Sequence, residues 1–88
     1  MVSQEVTIQN KLGIHARPAA QFVKTANSYQ SEVTVEKDGE EIDGKSIMGL
    51  MMLAAGNGSK LMIKVTGEDE QAALSALVKL VDEKFGEE

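Results

Sequence analysis

Apolar positions recur along this chain at two spacings, and the spacing switches at turn-forming residues. Glu5 to Gln9 alternates, with Val6 and Ile8 on one face, which predicts a strand. Asn10 to His15 then turns into a helix over Ala16–Asn27, whose Ala19, Phe22, Val23 and Ala26 form an inward stripe. Pro18 falls in the first turn of that helix, where its missing N–H does little harm. Glu32 to Glu36 alternates again and is rich in β-branched residues. The Asp38-Gly39 turn after it folds Glu40–Asp43 back as a hairpin partner. Ser46 is a natural N-cap for a short helix from Ile47 to about Leu53, stopped by Gly56-Asn57-Gly58. Lys60–Thr66 predicts a strand with Leu61, Ile63 and Val65 inward. A last helix over Glu70–Lys84 gathers Leu74, Leu77, Val78, Val81 and Phe85, and Glu68, Asp69 and Glu70 suit its positive end.

The predicted order is βαββαβα, an α+β fold with an antiparallel sheet and helices on one face. Order alone does not separate a ferredoxin-like strand arrangement from other split β-α-β sheets. With 88 residues, 42% hydrophobic and 26% charged, the chain reads as one globular domain spanning 1–88. Its net charge of -5 points away from nucleic acid and anionic membrane as partners. Without cysteine there is no thiolate site, and a single histidine excludes a multi-histidine metal site, so no metal or other cofactor is expected. The start lacks a basic and apolar leader, and the longest apolar run, Ile47 to Ala55, is far too short to span a bilayer. A soluble, monomeric, cytoplasmic protein is expected.

Gly39 to Ser46 matches the phosphate-loop expression G-x-x-x-x-G-K-[ST]. The chemistry argues against that role, because Glu40, Glu41 and Asp43 would put anions into the phosphate cradle and the Asp38-Gly39 turn commits the segment to a hairpin. More telling is the charge layout. Gln9 to Ser31 carries no acidic residue, yet holds Lys11, His15, Arg17 and Lys24. Arg17, Ala20, Gln21 and Lys24 form the helix stripe opposite the buried one, either a solvated face or a surface for an acidic partner.

His15 stands at the head of that helix, where free backbone N–H groups and partial positive charge favour an anion. The same field disfavours imidazolium and leaves a nucleophilic ring nitrogen. Arg17 brings a guanidinium suited to phosphate. A histidine at a helix start is commonly only a cap or surface residue; Arg17, Pro18 and the acid-free surround bring the phosphoryl-acceptor reading level with that one. In the short helix, Ile47, Leu50 and Leu53 can face the sheet, leaving Met48, Met51 and Met52 outward. Those methionines are either an exposed docking patch or covered by the last helix or a loop.

Gly13-Ile14-His15-Ala16-Arg17-Pro18-Ala19 and Gly44-Lys45-Ser46-Ile47-Met48-Gly49-Leu50 closely resemble HPr, the histidine-containing phosphocarrier family of the bacterial phosphoenolpyruvate:sugar phosphotransferase system. The likeness spans essentially the whole chain. It implies an open-faced β-sandwich, a four-stranded antiparallel sheet of order 1-4-2-3 with three helices on one side. It also implies a stoichiometric carrier rather than an enzyme. Enzyme I, charged by phosphoenolpyruvate, would phosphorylate Nδ1 of His15, and the group would pass to IIA domains of sugar permeases. By the same resemblance Arg17 is the active-centre arginine, with Ala16 beside it at the phosphate. Ser46 matches the target of HPr kinase/phosphorylase. Ile47, Met48, Met51 and Met52 match the docking surface, and Ala20, Gln21 and Lys24 of the helix stripe, with Lys45, are expected to bind partners beside it.

Asn10 to Gly13 also resembles the nitrogen-branch paralogue, so a regulatory phosphocarrier, or a module in which phospho-Ser46 controls a transcriptional regulator, is the competing reading. A ferredoxin-like small-ligand domain would need a pocket with polar ligand groups that the sequence does not offer.

Overall fold

The computed structural model describes residues 1–87; Glu88, the last residue of the acidic end, lies outside the described residues. Elements follow as β1 (Val2–Thr7), α1 (Ala16–Asn27), β2 (Glu32–Lys37), β3 (Glu40–Asp43), α2 (Ile47–Met52), β4 (Lys60–Thr66) and α3 (Glu70–Asp82). The strands form one antiparallel sheet of order β1-β4-β2-β3. Registers such as Val6 opposite Leu61, Val33 opposite Val65 and Val35 opposite Ile63 put the apolar members of each strand on one face. The helices cover that face with Phe22, Leu50, Leu77 and Val81, all essentially buried. The opposite face stays polar, and there Lys64 bridges Glu36 and Glu41 at 2.6 Å each. Those two carboxylates, chiefly through their hydrogen bonds, push the Lys64 ammonium up to about 12. No helix among the described residues is long and apolar enough to cross a membrane.

Four boundaries or placements differ from the sequence expectation. β1 runs from Val2 to Thr7 rather than from Glu5 to Gln9. Gln4 sits on the same face as Val2 and Val6 and breaks the alternation, while backbone pairing with β4 holds the strand regardless. Ile8 stays fully buried and still exchanges backbone bonds with the β4 side, to Ser59 at 2.8 Å and from Gly58 at 2.7 Å. Ile47 is 41% exposed instead of facing the sheet, whereas Leu50 and Leu53 are buried as expected. α3 ends at Asp82. Beyond it Lys84, Phe85 and Gly86 all take left-handed backbone angles, with φ of 57°, 55° and 75°. Phe85 therefore reaches the core from a reversed turn and not from the helix stripe.

Glu70 lies in the first turn of α3, as its expected place at the positive end requires, and the acidic residues there also hold neighbouring backbone. Asp69 caps a neighbouring loop: its carboxylate accepts from the Ser31 hydroxyl and from the N–H groups of Gln30 and Ser31, at 2.9 and 3.0 Å for the two amides. Glu70 reaches back to the Gly67 amide at 3.1 Å.

Candidate functional site

His15 occupies the N-cap of α1 in extended backbone geometry, with no side-chain cap bond. Its carbonyl accepts from Ala19 at 3.0 Å, the first bond of the helix. Ala16 and Arg17 follow in the first turn, where backbone N–H groups have no intrahelical partner. Pro18 has no N–H to leave unpaired, and its ring is buried. The loop before the helix is pinned from two sides. Gly13 takes a left-handed φ of +72°, and Ile14 donates to the Ala55 carbonyl at 2.8 Å. Asn10, fully buried, donates from Nδ2 to the Gly13 carbonyl at 2.6 Å.

The surround of His15 is not acid-free once the chain is folded. Glu87 comes back from the end of the chain, and its Oε2 and Oε1 lie 3.0 and 3.1 Å from His15 Nε2. Asn10 Nδ2 donates to the same Oε1 at 3.1 Å. Both partners of the Asn10 amide nitrogen are acceptors, which fixes the orientation of that side chain and leaves Oδ1 without a partner among the described residues. The His15 hydrogen bond, helped by Asn10 and by the His15 and Arg17 charges, holds the Glu87 carboxyl below the usual carboxylate range against the effect of burial. Local patterning gave no sign of Glu87 or Asn10. The one available signal was Gly86 after a core phenylalanine, where a chain can reverse.

Of the sequence-predicted surface, Arg17, Ala20 and Lys24 are exposed along α1 and Gln21 is half-buried. Met48 and Met52 are 71% and 72% exposed, Met51 42%. The methionines are therefore uncovered, and α2 lies against α1, so this patch adjoins the cationic stripe. Ser46 caps α2, its Oγ accepting from Gly49 N–H at 3.0 Å. Lys45 is turned away from any phosphate cradle: its ammonium donates to the Tyr29 carbonyl at 3.0 Å and its N–H to Asp43. Gly39–Ser46 thus folds as a hairpin strand and helix cap. Among the described residues no group of acidic or histidine side chains is arranged to hold a metal ion.

Residues 2–83 match the family model described as PTS HPr component phosphorylation site. The phosphocarrier protein HPr of Pseudomonas aeruginosa is 51% identical over 88 residues, covering 99% of this chain and 98% of that one. The HPr-like protein Crh of Bacillus subtilis is 49% identical, over 96% of this chain and 99% of that one. Among solved structures, the crystal structure of HPr-C-His from Thermoanaerobacter tengcongensis superposes with a TM-score of 0.96 at 46% identity, over 100% of this chain and 99% of that one.

Proposed function

Because the chain belongs to the HPr family of phosphotransferase-system phosphocarriers, we propose that His15 is its covalent phosphoryl acceptor, loaded by Enzyme I and unloaded by IIA domains of sugar permeases. The observation that carries this reading is the half-exposed His15 ring at the head of α1, beside the first-turn amides of Ala16 and Arg17, which have no intrahelical partner. A ring nitrogen attacks the phosphorus, the bond to the donor breaks, and its electron pair stays on the donor. The phosphoryl oxygens then meet the two amides and the Arg17 guanidinium, a preorganised set of donors that costs no rearrangement during transfer. Donor and acceptor proteins dock on the joint surface of α1 and α2. Ala20, Gln21 and Lys24 contribute the polar and cationic part, with Lys45 at its border. Ile47, Met48, Met51 and Met52 contribute an apolar part that can repack against more than one partner. A monomeric, cytoplasmic carrier of one domain suits this role.

A second reading rests on Ser46. Its Oγ caps α2 next to the exposed methionines, so a kinase that phosphorylates it would alter the docking surface directly. One relative is itself named Catabolite Repression HPr, which supports a regulatory use of this scaffold. The experiment that separates the sugar branch from the nitrogen branch is incubation with phosphoenolpyruvate and either a sugar-type Enzyme I or its nitrogen-type paralogue. Rapid loading by the sugar-type enzyme supports the sugar branch. Loading by the nitrogen-type enzyme alone moves the chain to the regulatory branch.

A further inference from the structure

We propose that Glu87 is a positioning residue for His15: a carboxylate brought back from the end of the chain that holds ring Nε2 and leaves Nδ1 free to take the phosphoryl group. The inference deepens the acceptor reading given above and rests on it.

Three observations converge on this contact. Both Glu87 oxygens lie within 3.1 Å of Nε2, and the side chain is only 18% exposed. The buried Asn10 amide fixes Oε1 from behind and the His15 loop at Gly13, so one side chain sets both partners. The backbone bends to make the contact. Lys84 and Phe85, neither of them glycine, adopt left-handed angles before Gly86, and Phe85 anchors the bend in the core at 2% exposure.

The chemistry follows from the donor inventory. An ionised carboxylate only accepts, so its bond to the ring requires hydrogen on Nε2. In the neutral ring the lone pair then lies on Nδ1. As Nδ1 attacks, its pair becomes the N–P bond, the phosphorus–donor bond breaks with its pair kept by the donor, and Nε2 retains its proton. Positive charge grows on the imidazole during this step, and Glu87 faces it. The phosphorylated donor is the only co-reactant required.

The test uses the full chain with 15N-labelled histidine, as wild type, Glu87→Ala and Glu87→Gln. Ring-nitrogen shifts of the neutral form should show a single tautomer, with hydrogen on Nε2, in wild type and a mixture in Glu87→Ala. Phosphorylation by Enzyme I should fall by about tenfold in kcat in Glu87→Ala, with KM for this chain unchanged, a loss typical of removing an orienting partner. Glu87→Gln should restore the single tautomer, since the amide oxygen can accept the same bond beside Asn10. Ring shifts in Glu87→Ala identical to wild type would overturn the proposal, and so would a changed tautomer with an unchanged rate. If wild type itself accepts no phosphoryl group, the acceptor reading fails instead. The ring shifts then decide on their own whether Glu87 holds Nε2.

Discussion

Ile14 donates its backbone N–H to the carbonyl of Ala55 across 2.8 Å, tying the loop that carries His15 to the loop that follows the methionine helix. The proposed acceptor histidine and the proposed docking patch are thereby joined through one backbone hydrogen bond. Gly13 makes it possible. A Cβ there would stand 2.5 Å from the Ala55 oxygen and 2.6 Å from the Gly56 Cα, on a backbone already at φ +72°.

Gly13→Ala should accordingly lower the free energy of unfolding by roughly 2 kcal/mol, from left-handed strain and backbone contact together. Urea denaturation measures it. A variant as stable as wild type would mean that the loop yields freely and does not fix the histidine.

Met48 is 71% exposed at the centre of the proposed docking surface. Met48→Glu should leave the circular dichroism spectrum and thermal midpoint unchanged while weakening Enzyme I binding about tenfold, close to 1.4 kcal/mol. Undiminished affinity in a binding titration would remove the methionines from the interface.

The methionine patch illustrates what the sequence could and could not convey. Helical spacing put Met48, Met51 and Met52 outward, and the fold leaves them there, because a six-residue helix cannot bury both sides. Ile47 departs from its helical spacing and is 41% exposed for a related reason: at the first position of so short a helix, the chain's entry angle outweighs the periodicity. The central strands were legible because Val33, Val35, Leu61, Ile63 and Val65 alternate without interruption. β1 was shifted because Gln4 interrupts its apolar face, and strand pairing depends on backbone partners that a single sequence does not display. At the site, His15 and Arg17 could be found through their setting at a helix start. Glu87 could not, since it arrives from the far end of the chain through a reversed turn.

Asp69 supplies the pH test. Its carboxyl is held below the usual range, first by the Ser31 hydroxyl and then by the Gln30 N–H. A depressed native value means a stabilising contribution that is fully present above the unfolded value, near 3.8, and lost as the pH falls through the native one. Asp69→Asn should therefore show a flatter decline of thermal midpoint below about pH 4 than wild type. Glu70 and Glu87, also depressed, maintain the residual slope. Superimposable profiles would show that the Asp69 bonds do not persist in solution.

Phosphorylation of Ser46, the proposed switch, should leave the fold standing, because its side chain caps α2 from the surface. A phosphate at this cap sits at the positive N-terminal end of α2, so the helix should survive modification. Its charge of roughly -1.5 to -2 would lie on the proposed donor-docking surface. Two like charges about 7 Å apart at an effective dielectric of 20 repel by roughly 2 kcal/mol, about thirtyfold in affinity. Ser46→Asp should reproduce part of that block in Enzyme I kinetics at low salt. Ser46→Ala should keep donor activity while losing about 1 kcal/mol of stability with the cap. Equal rates for Ser46→Asp and wild type would eliminate the electrostatic switch.

The phosphoryl acceptor itself is tested most directly by the stoichiometry and site of labelling after incubation with phosphoenolpyruvate and Enzyme I. Wild type should gain one phosphoryl group per chain, labile in acid and stable in base as a phosphoramidate is. His15→Ala should gain none while remaining folded, since its side chain is half-exposed at a helix start. A phosphoryl group of the same lability on His15→Ala would contradict the account at its centre.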